Sequence, residues 1–378
     1  MRWPSGRTAA AATAAGTTPH RRAAGAAQLR EVEPGREEPV TPRRAAPPAP
    51  GFPAWRGRRL RGTAALRRLV AQTSLAPSDL VLPLFVKEGI DEVCAVTSMP
   101  GIYQHTVDSL RKAANEAVES GVGGLLLFGI PSVKDGSGSQ ADADEGIVNR
   151  ALRALRSDLG DSTVLIADLC LCEYTDHGHC GLLGSDEVVD NDATLVRYAS
   201  VAAAQSEAGA HMIAPSGMMD GQVSAIRAAL DSADRVDVAV LAYAVKYASA
   251  FYGPFRDAAE GAPQFGDRAG YQMDPANSDE ALREVAQDLA EGADAIIVKP
   301  ALPYLDIVSR VADAVHVPVA GYQVSGEYAM IEAAAERGWV DRDRAILETV
   351  TGIRRAGADI VITYWAAELA RRLARLSP

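Results

Sequence analysis

The segment Asp168-Leu169-Cys170-Leu171-Cys172-Glu173, continuing to Cys180, holds three of the chain's four cysteines in a C-x-C-x7-C spacing. It closes the apolar run Thr163-Val164-Leu165-Ile166-Ala167. Alternate residues of an extended strand share a face. Asp168, Cys170 and Cys172 are therefore expected to point one way, with Cys180 folding back to join them. Three thiolates without an obvious fourth ligand suit a zinc ion that keeps one position open, as catalytic zinc does, whereas structural zinc is normally held by four protein ligands. Buried or disulfide-bonded thiols are the blander alternative, but C-x-C pairs rarely reach unstrained disulfide geometry. His177 and His179 either compete as ligands or serve loop hydrogen bonding. Cys94 has no visible partner.

Two lysines make a second constellation. Lys246 follows the apolar run Val238–Ala244, and Lys299 closes Ala295-Ile296-Ile297-Val298. An amine in such a run is costly unless paired or neutral. Burial or a neighbouring cation lowers its pKa from about 10.4 toward neutrality. A neutral lysine attacks a ketone and forms a Schiff base. The alternative is a structural lysine paired with Asp168 or another acid. Between these lysines lies a long connection carrying Phe251-Tyr252-Gly253-Pro254-Phe255-Arg256 and Gly266-Asp267-Arg268-Ala269-Gly270-Tyr271-Gln272. Its length reads as a lid, and Arg256 with Arg268 can grip a carboxylate.

The elements that must position these groups are legible as alternation. Eight short apolar runs are predicted strands: Leu80–Val86, Gly124–Ile130, Thr163–Cys170, Met212–Pro215, Val238–Ala244, Ala295–Lys299, Val317–Gln323 and Asp359–Tyr364. Helical segments at 107–120, 145–158, 193–208, 222–232, 279–291, 303–314, 327–337 and 342–355 separate them, and 366–375 closes the chain. Gly121, Gly209, Gly292 and Gly357 stand where helices should stop. Continuous apolar strands alternating with helices imply an α/β fold, a parallel (β/α)8 TIM barrel. A doubly wound open sheet is the alternative, but it usually needs fewer strands, and no glycine-rich phosphate loop follows the first strand. Asp168, the cysteines, Lys246, Lys299, Tyr322-Gln323-Val324-Ser325-Gly326 and Tyr364 all fall at strand ends, the face where barrel enzymes carry their chemistry.

Composition bounds the rest. The 378 residues are 48% hydrophobic with a net charge of -11. Residues 1–62 hold 12 Arg and four Glu, a net +8, which leaves -19 on the remainder. The acidic body argues against a nucleic-acid partner, and no apolar run approaches the ~20 residues of a membrane span. Clustered cysteines point to a reducing, cytoplasmic compartment. Residues 1–56, rich in Ala, Arg and Pro, read as a disordered extension; 57–78 form an arm and 79–378 the catalytic barrel. Arg21-Arg22 lacks an apolar stretch behind it, so no export signal is expected. A transit peptide fits the Arg and Ala but not the Glu. Asp190-Asn191-Asp192 reads as a helix cap rather than a metal cluster.

Taken together, Asp168–Cys180, Tyr247–Arg256, Val298-Lys299-Pro300, Tyr304–Val308 and Tyr322–Met330 resemble the porphobilinogen synthase (5-aminolevulinate dehydratase) family, from about Arg58 to the C-terminus. The resemblance implies condensation of two 5-aminolevulinate molecules into porphobilinogen with loss of two waters, in tetrapyrrole biosynthesis. It implies Schiff-base lysines at Lys246, beside zinc, and at Lys299; zinc on Cys170, Cys172 and Cys180, with Asp168 adjacent; one substrate carboxylate gripped by Arg256, Arg268 and Gln272; and the other held by Ser325 and Tyr364. Retention of all three thiols implies the zinc-dependent type. The resemblance further implies a homo-octamer whose arm, Arg58–Val70, embraces a neighbour, and a regulatory magnesium at Glu284, although a helix-surface glutamate is the more ordinary reading there. The residues taken singly also admit two other functions: a Schiff-base aldolase acting on a sugar phosphate, and a zinc-dependent scaffold. The first lacks a phosphate-binding loop, and the second leaves two strand lysines without a purpose.

Overall fold

The structure, a computed structural model, describes residues 51–376; the expected disorder of residues 1–50 lies outside them. The chain divides into two compact units, meeting in sequence between Leu69 and Val70. The described part of the first carries a 3-10 turn, Gly57–Arg61, and a short helix, α1 (Ala64–Leu69), opened by the Thr63 hydroxyl, which accepts from the Leu66 amide at 3.1 Å.

The second unit is a closed barrel. Its strands are β1 (Leu80–Lys87), β2 (Gly124–Ile130), β3 (Val164–Leu169), β4 (Met212–Pro215), β5 (Ala239–Lys246), β6 (Ala295–Lys299), β7 (Val319–Tyr322) and β8 (Ile360–Ile362). Each pairs in parallel with the next, and β8 returns to β1 through Leu80 opposite Val361 and Val81 opposite Ile362. The barrel expected from the alternation is therefore present, within two or three residues at each strand end. A hairpin of Cys94–Ala95 and Tyr103–His105, not anticipated from the sequence, extends the sheet beside β1. Among the described residues, no helix is long and apolar enough to cross a membrane.

Every strand is apolar on both faces because both are covered. Leu80, Leu82, Leu84 and Val86 join a shell packed against the helices. Val81 and Phe85 point inward with Phe128, Ile166, Leu241, Tyr243 and Tyr322. Removing each such side chain from water stabilises the fold by about 1.5–3 kcal/mol, which sets the strand faces firmly. The expected helix stops hold: Gly209 and Gly292 sit at φ 109° and 106°, a conformation that favours glycine. Asp190 caps its helix by accepting the Ala193 amide at 3.0 Å, as its position suggested.

Candidate active site

Lys246 and Lys299 end adjacent strands and are direct register partners. Lys299 lies on the inward face with Ala295 and Ile297 by simple alternation. Lys246 does not. Counting by twos from Leu241 and Tyr243 would send it outward, but the pairing of β5 with β6 is irregular between Ala242 and Val245. Ala244 and Val245 both join the outer shell, and Lys246 turns in. This irregularity also corrects the expected strand: β5 runs through Lys246 instead of stopping at Ala244.

Both amines face the Tyr243 ring, at 5.7 Å for Lys246 and 5.1 Å for Lys299. Lys299 Nζ is further enclosed by the rings of Tyr322 at 4.4 Å, Phe255 at 5.2 Å and Tyr252 at 5.4 Å. Burial, then the nearby Lys246 charge, pushes the Lys299 amine down to about 7. Lys246 Nζ donates to the Ser216 carbonyl. The Ser216 hydroxyl donates to Asp168 Oδ2 at 2.9 Å, so Ser216 links the first lysine to the carboxyl group. Burial, reinforced by the Glu173 carboxylate, pushes Asp168 up to about 7. An amine and a carboxyl group that both titrate near neutrality can exchange protons with reacting groups in either direction.

The thiols gather by another route than the one expected. β3 ends at Leu169, so Cys170 and Cys172 lie beyond the strand and strand alternation does not align them. A turn does so: the amides of Tyr174 and Thr175 both donate to the Leu171 carbonyl, at 2.9 and 2.8 Å. Cys170 and Cys172 sulfurs stand 3.3 Å apart, unbonded. Cys180 is brought in as its carbonyl accepts from the Tyr198 hydroxyl at 2.7 Å. All three sulfurs lie within 4.8 Å of one another, buried, the one such group of three or more His, Cys, Asp or Glu among the described residues. S–H donation from Cys170 and Cys172 holds the Cys180 thiol well below its usual range, and Cys170 and Cys172 are held correspondingly high, Cys170 chiefly by its burial. A soft cation that replaces two thiol protons fits this donor set.

His179 is occupied by the Tyr271 hydroxyl at 3.2 Å and the Phe265 carbonyl at 3.1 Å, in line with a loop role. His177 Nδ1 accepts the His179 amide at 3.1 Å.

The residues expected to bind carboxylates lie in the connection after β5 (Arg256, Arg268 and Gln272) and just beyond β7 (Ser325) and β8 (Tyr364). The long connection after β5 is not structureless; it contains a 3-10 turn at Ala250–Tyr252 and a helix at Gly253–Ala258, started by Gly253-Pro254. Buried Arg268 donates through Nη2 to the carbonyls of Gly261 at 2.6 Å and Gly178 at 2.9 Å. Arg256 Nε, Arg268 Nε and Gln272 Nε2 are three of the ten buried side-chain polar atoms without a hydrogen-bond partner among the described residues. Unmet buried donors cost about 1–3 kcal/mol each. Ser325 Oγ accepts the Phe255 amide at 2.9 Å, and the Tyr364 hydroxyl lies 3.3 Å from that of Tyr322.

Glu284 stands apart from the lysines and thiols. It lines a cavity of about 620 Å³ with Gln272, Asp220, Glu280, Asp274 and Glu187, and burial followed by the Asp220 charge raises its pKa. Sequence reasoning missed Ser216, Glu173 and Tyr243. Ser216 directly follows β4 and so stood at the informative end of a strand. Glu173, 2% exposed, accepts from the Cys172 thiol at 3.3 Å; its place inside the cysteine run was the available signal.

Comparison with known proteins agrees with this geometry. The family model described as "Delta-aminolevulinic acid dehydratase" matches residues 54–372. The chain is 59% identical over 324 residues to the delta-aminolevulinic acid dehydratase of Streptomyces coelicolor, covering 85% of this chain and 98% of that one. It is 61% identical over 321 residues to that of Mycobacterium tuberculosis, covering 84% and 97%. The crystal structure of the Toxoplasma gondii enzyme in complex with its reaction product porphobilinogen superimposes with a TM-score of 0.83 at 40% identity, covering 85% of this chain and 92% of that one. The barrel, the paired lysines and these matches lead to one conclusion: the chain belongs to the delta-aminolevulinic acid dehydratase family.

Proposed function

We propose that this chain condenses two molecules of 5-aminolevulinate into porphobilinogen, releasing two waters, through Schiff bases on Lys246 and Lys299 with zinc on Cys170, Cys172 and Cys180. The observation that carries the reading is the register pairing of the two lysines, one of them in a buried aromatic collar that favours its neutral, nucleophilic form. Each amine attacks the ketone of one substrate and expels one water as the imine forms. Tethering both substrates on neighbouring strands makes their union effectively intramolecular. Asp168, joined to the Lys246 side through Ser216, serves proton transfer. Arg256, Arg268 and Gln272 take one substrate carboxylate on their unspent donors; Ser325 and Tyr364 take the other. Zinc, held by Cys170, Cys172 and Cys180, would supply Lewis acidity.

Three further readings accompany this one. All four cysteines are free, which supports a cytoplasmic setting. Leu60 and Leu69, 55% and 81% exposed, support the homo-octamer with Arg58–Val70 as its embracing arm; sedimentation analysis tests it. The acidic lining around Glu284 supports a regulatory magnesium, tested by the magnesium dependence of Glu284→Ala.

Incubation with 5-aminolevulinate and borohydride, with adducts mapped by mass spectrometry in the presence and absence of a zinc chelator, tests the central reading. Labelling of Lys299 together with chelator-sensitive porphobilinogen formation is expected. No adduct on either lysine overturns it.

A further inference from the structure

The Glu327 carboxyl group is fully buried, and no lysine or arginine among the described residues is its hydrogen-bond partner. It lies in the first turn of the helix Ser325–Glu336 and accepts the Val324 amide on Oε2, an ordinary way to cap a helix start. Capping alone does not require burial, which is costly for a carboxyl group without compensating bonds. The compensation comes from another loop: the Leu302 amide donates to Oε1 at 2.6 Å, and the Ala301 amide is a third donor. Leu302 lies three residues beyond Lys299, and Val324 immediately precedes Ser325. One side chain therefore joins the segment leaving β6 to the segment leaving β7.

The connection continues into a circuit. Ser325 Oγ accepts the Phe255 amide at 2.9 Å, and the Phe255 ring lies 5.2 Å from Lys299 Nζ. A Cβ on Gly326 would come within 2.5 Å of the Phe251 carbonyl, so the helix start and the base of the long connection are already in close contact. The circuit runs from Lys299 through Leu302, Glu327, Val324, Ser325 and Phe255 back to Lys299.

We infer that Glu327 is a positioning residue that holds Lys299 and Ser325 in fixed relation, so that the substrate tethered by one is gripped by the other. This rests on the reading of Lys299 as a Schiff-base lysine. Glu327→Gln keeps the shape but replaces one acceptor with a donor that faces a backbone N–H. Borohydride trapping rates at Lys299 and Lys246, KM, kcat and the melting temperature are measured on the zinc-loaded full chain. Leaving one buried backbone donor without its acceptor is worth about tenfold or more. We expect the Lys299 trapping rate to fall by about that factor and KM to rise, with Lys246 trapping unchanged. Should Glu327→Gln not fold, Glu327→Asp, which keeps the acceptor near Val324 but falls short of Leu302, is read by the same ratio. An unchanged ratio of the two trapping rates, or failure of both variants to fold, overturns the inference. Absence of adducts in the unsubstituted protein would instead overturn the underlying reading.

Discussion

Lys246 and Lys299 stand opposite each other in register on neighbouring parallel strands, and both amines face the Tyr243 ring. Two amines so placed cannot both be charged in a dry pocket without a large penalty, so at least one is disposed to lose its proton. Lys299, collared by four aromatic rings, is that one.

Lys299→Ala and Lys246→Ala each remove one tether. Either is expected to lower kcat by about 10⁵-fold, the low end of the advantage of an intramolecular encounter. The double variant should be hardly worse than the singles, because the lysines act as a unit. Steady-state formation of porphobilinogen measures all three, and a single variant within tenfold of the parent would contradict the two-tether reading.

The trapping rate at Lys299 is expected to follow its titration. Its amine is lowered to about 7, so it is neutral and reactive above that pH and protonated below it. Between pH 6 and 5 the rate should fall about tenfold, and it should level off above pH 8. Replacing Lys246 with Met removes the nearby charge and should move the midpoint upward. A flat profile from pH 5 to 8 would be inconsistent with a proton-limited amine.

Glu173 accepts from the Cys172 thiol at 3.3 Å without metal; a bound cation displaces that thiol proton, and the buried carboxylate then contributes negative charge beside the cation. Glu173→Gln is expected to weaken zinc affinity by about 10–100-fold, as loss of outer partners of metal ligands does. Competition with a chromophoric chelator reads this directly. Because Cys170 and Cys172 are held protonated without metal, zinc uptake should release protons and strengthen as pH rises. Equal affinity in the Gln variant would leave Glu173 without a metal role.

Asp168→Asn keeps the size of the side chain and its acceptor for the Ser216 hydroxyl but cannot accept or release a proton at neutral pH. A loss of about 10²–10⁴ in kcat is expected, with borohydride trapping at Lys299 retained. If trapping is lost as well, Asp168 shapes the pocket instead of moving protons.

Gly217 follows Ser216 closely beneath Tyr198, and a Cβ there would lie 1.7 Å from the Tyr198 hydroxyl that holds the Cys180 carbonyl. Gly217→Ala should destabilise the fold by about 1–3 kcal/mol through overpacking and weaken zinc binding through the displaced Tyr198. Thermal unfolding with and without zinc separates the two effects.

Much of this molecule is legible in its sequence because the information is local. Eight buried parallel strands need continuous apolar runs, helices need their glycine stops, and a lysine at the end of such a run announces itself. Cys170, Cys172 and Cys180 lie close in sequence, so their meeting needed only a tight connection. What the tertiary structure decided depends on pairing between distant segments. Alternation alone points Lys246 away from the interior, and only the irregular pairing of β5 with β6 between Ala242 and Val245 turns it toward Lys299. The C-x-C thiols align through a turn closed on the Leu171 carbonyl, not along a strand. The aromatic collar draws on Tyr243, Tyr252, Phe255 and Tyr322, up to 79 residues apart, and the Glu327 bridge spans two barrel loops. Neither has a local pattern, since each exists only after barrel closure brings the strand ends within a few ångströms of one another.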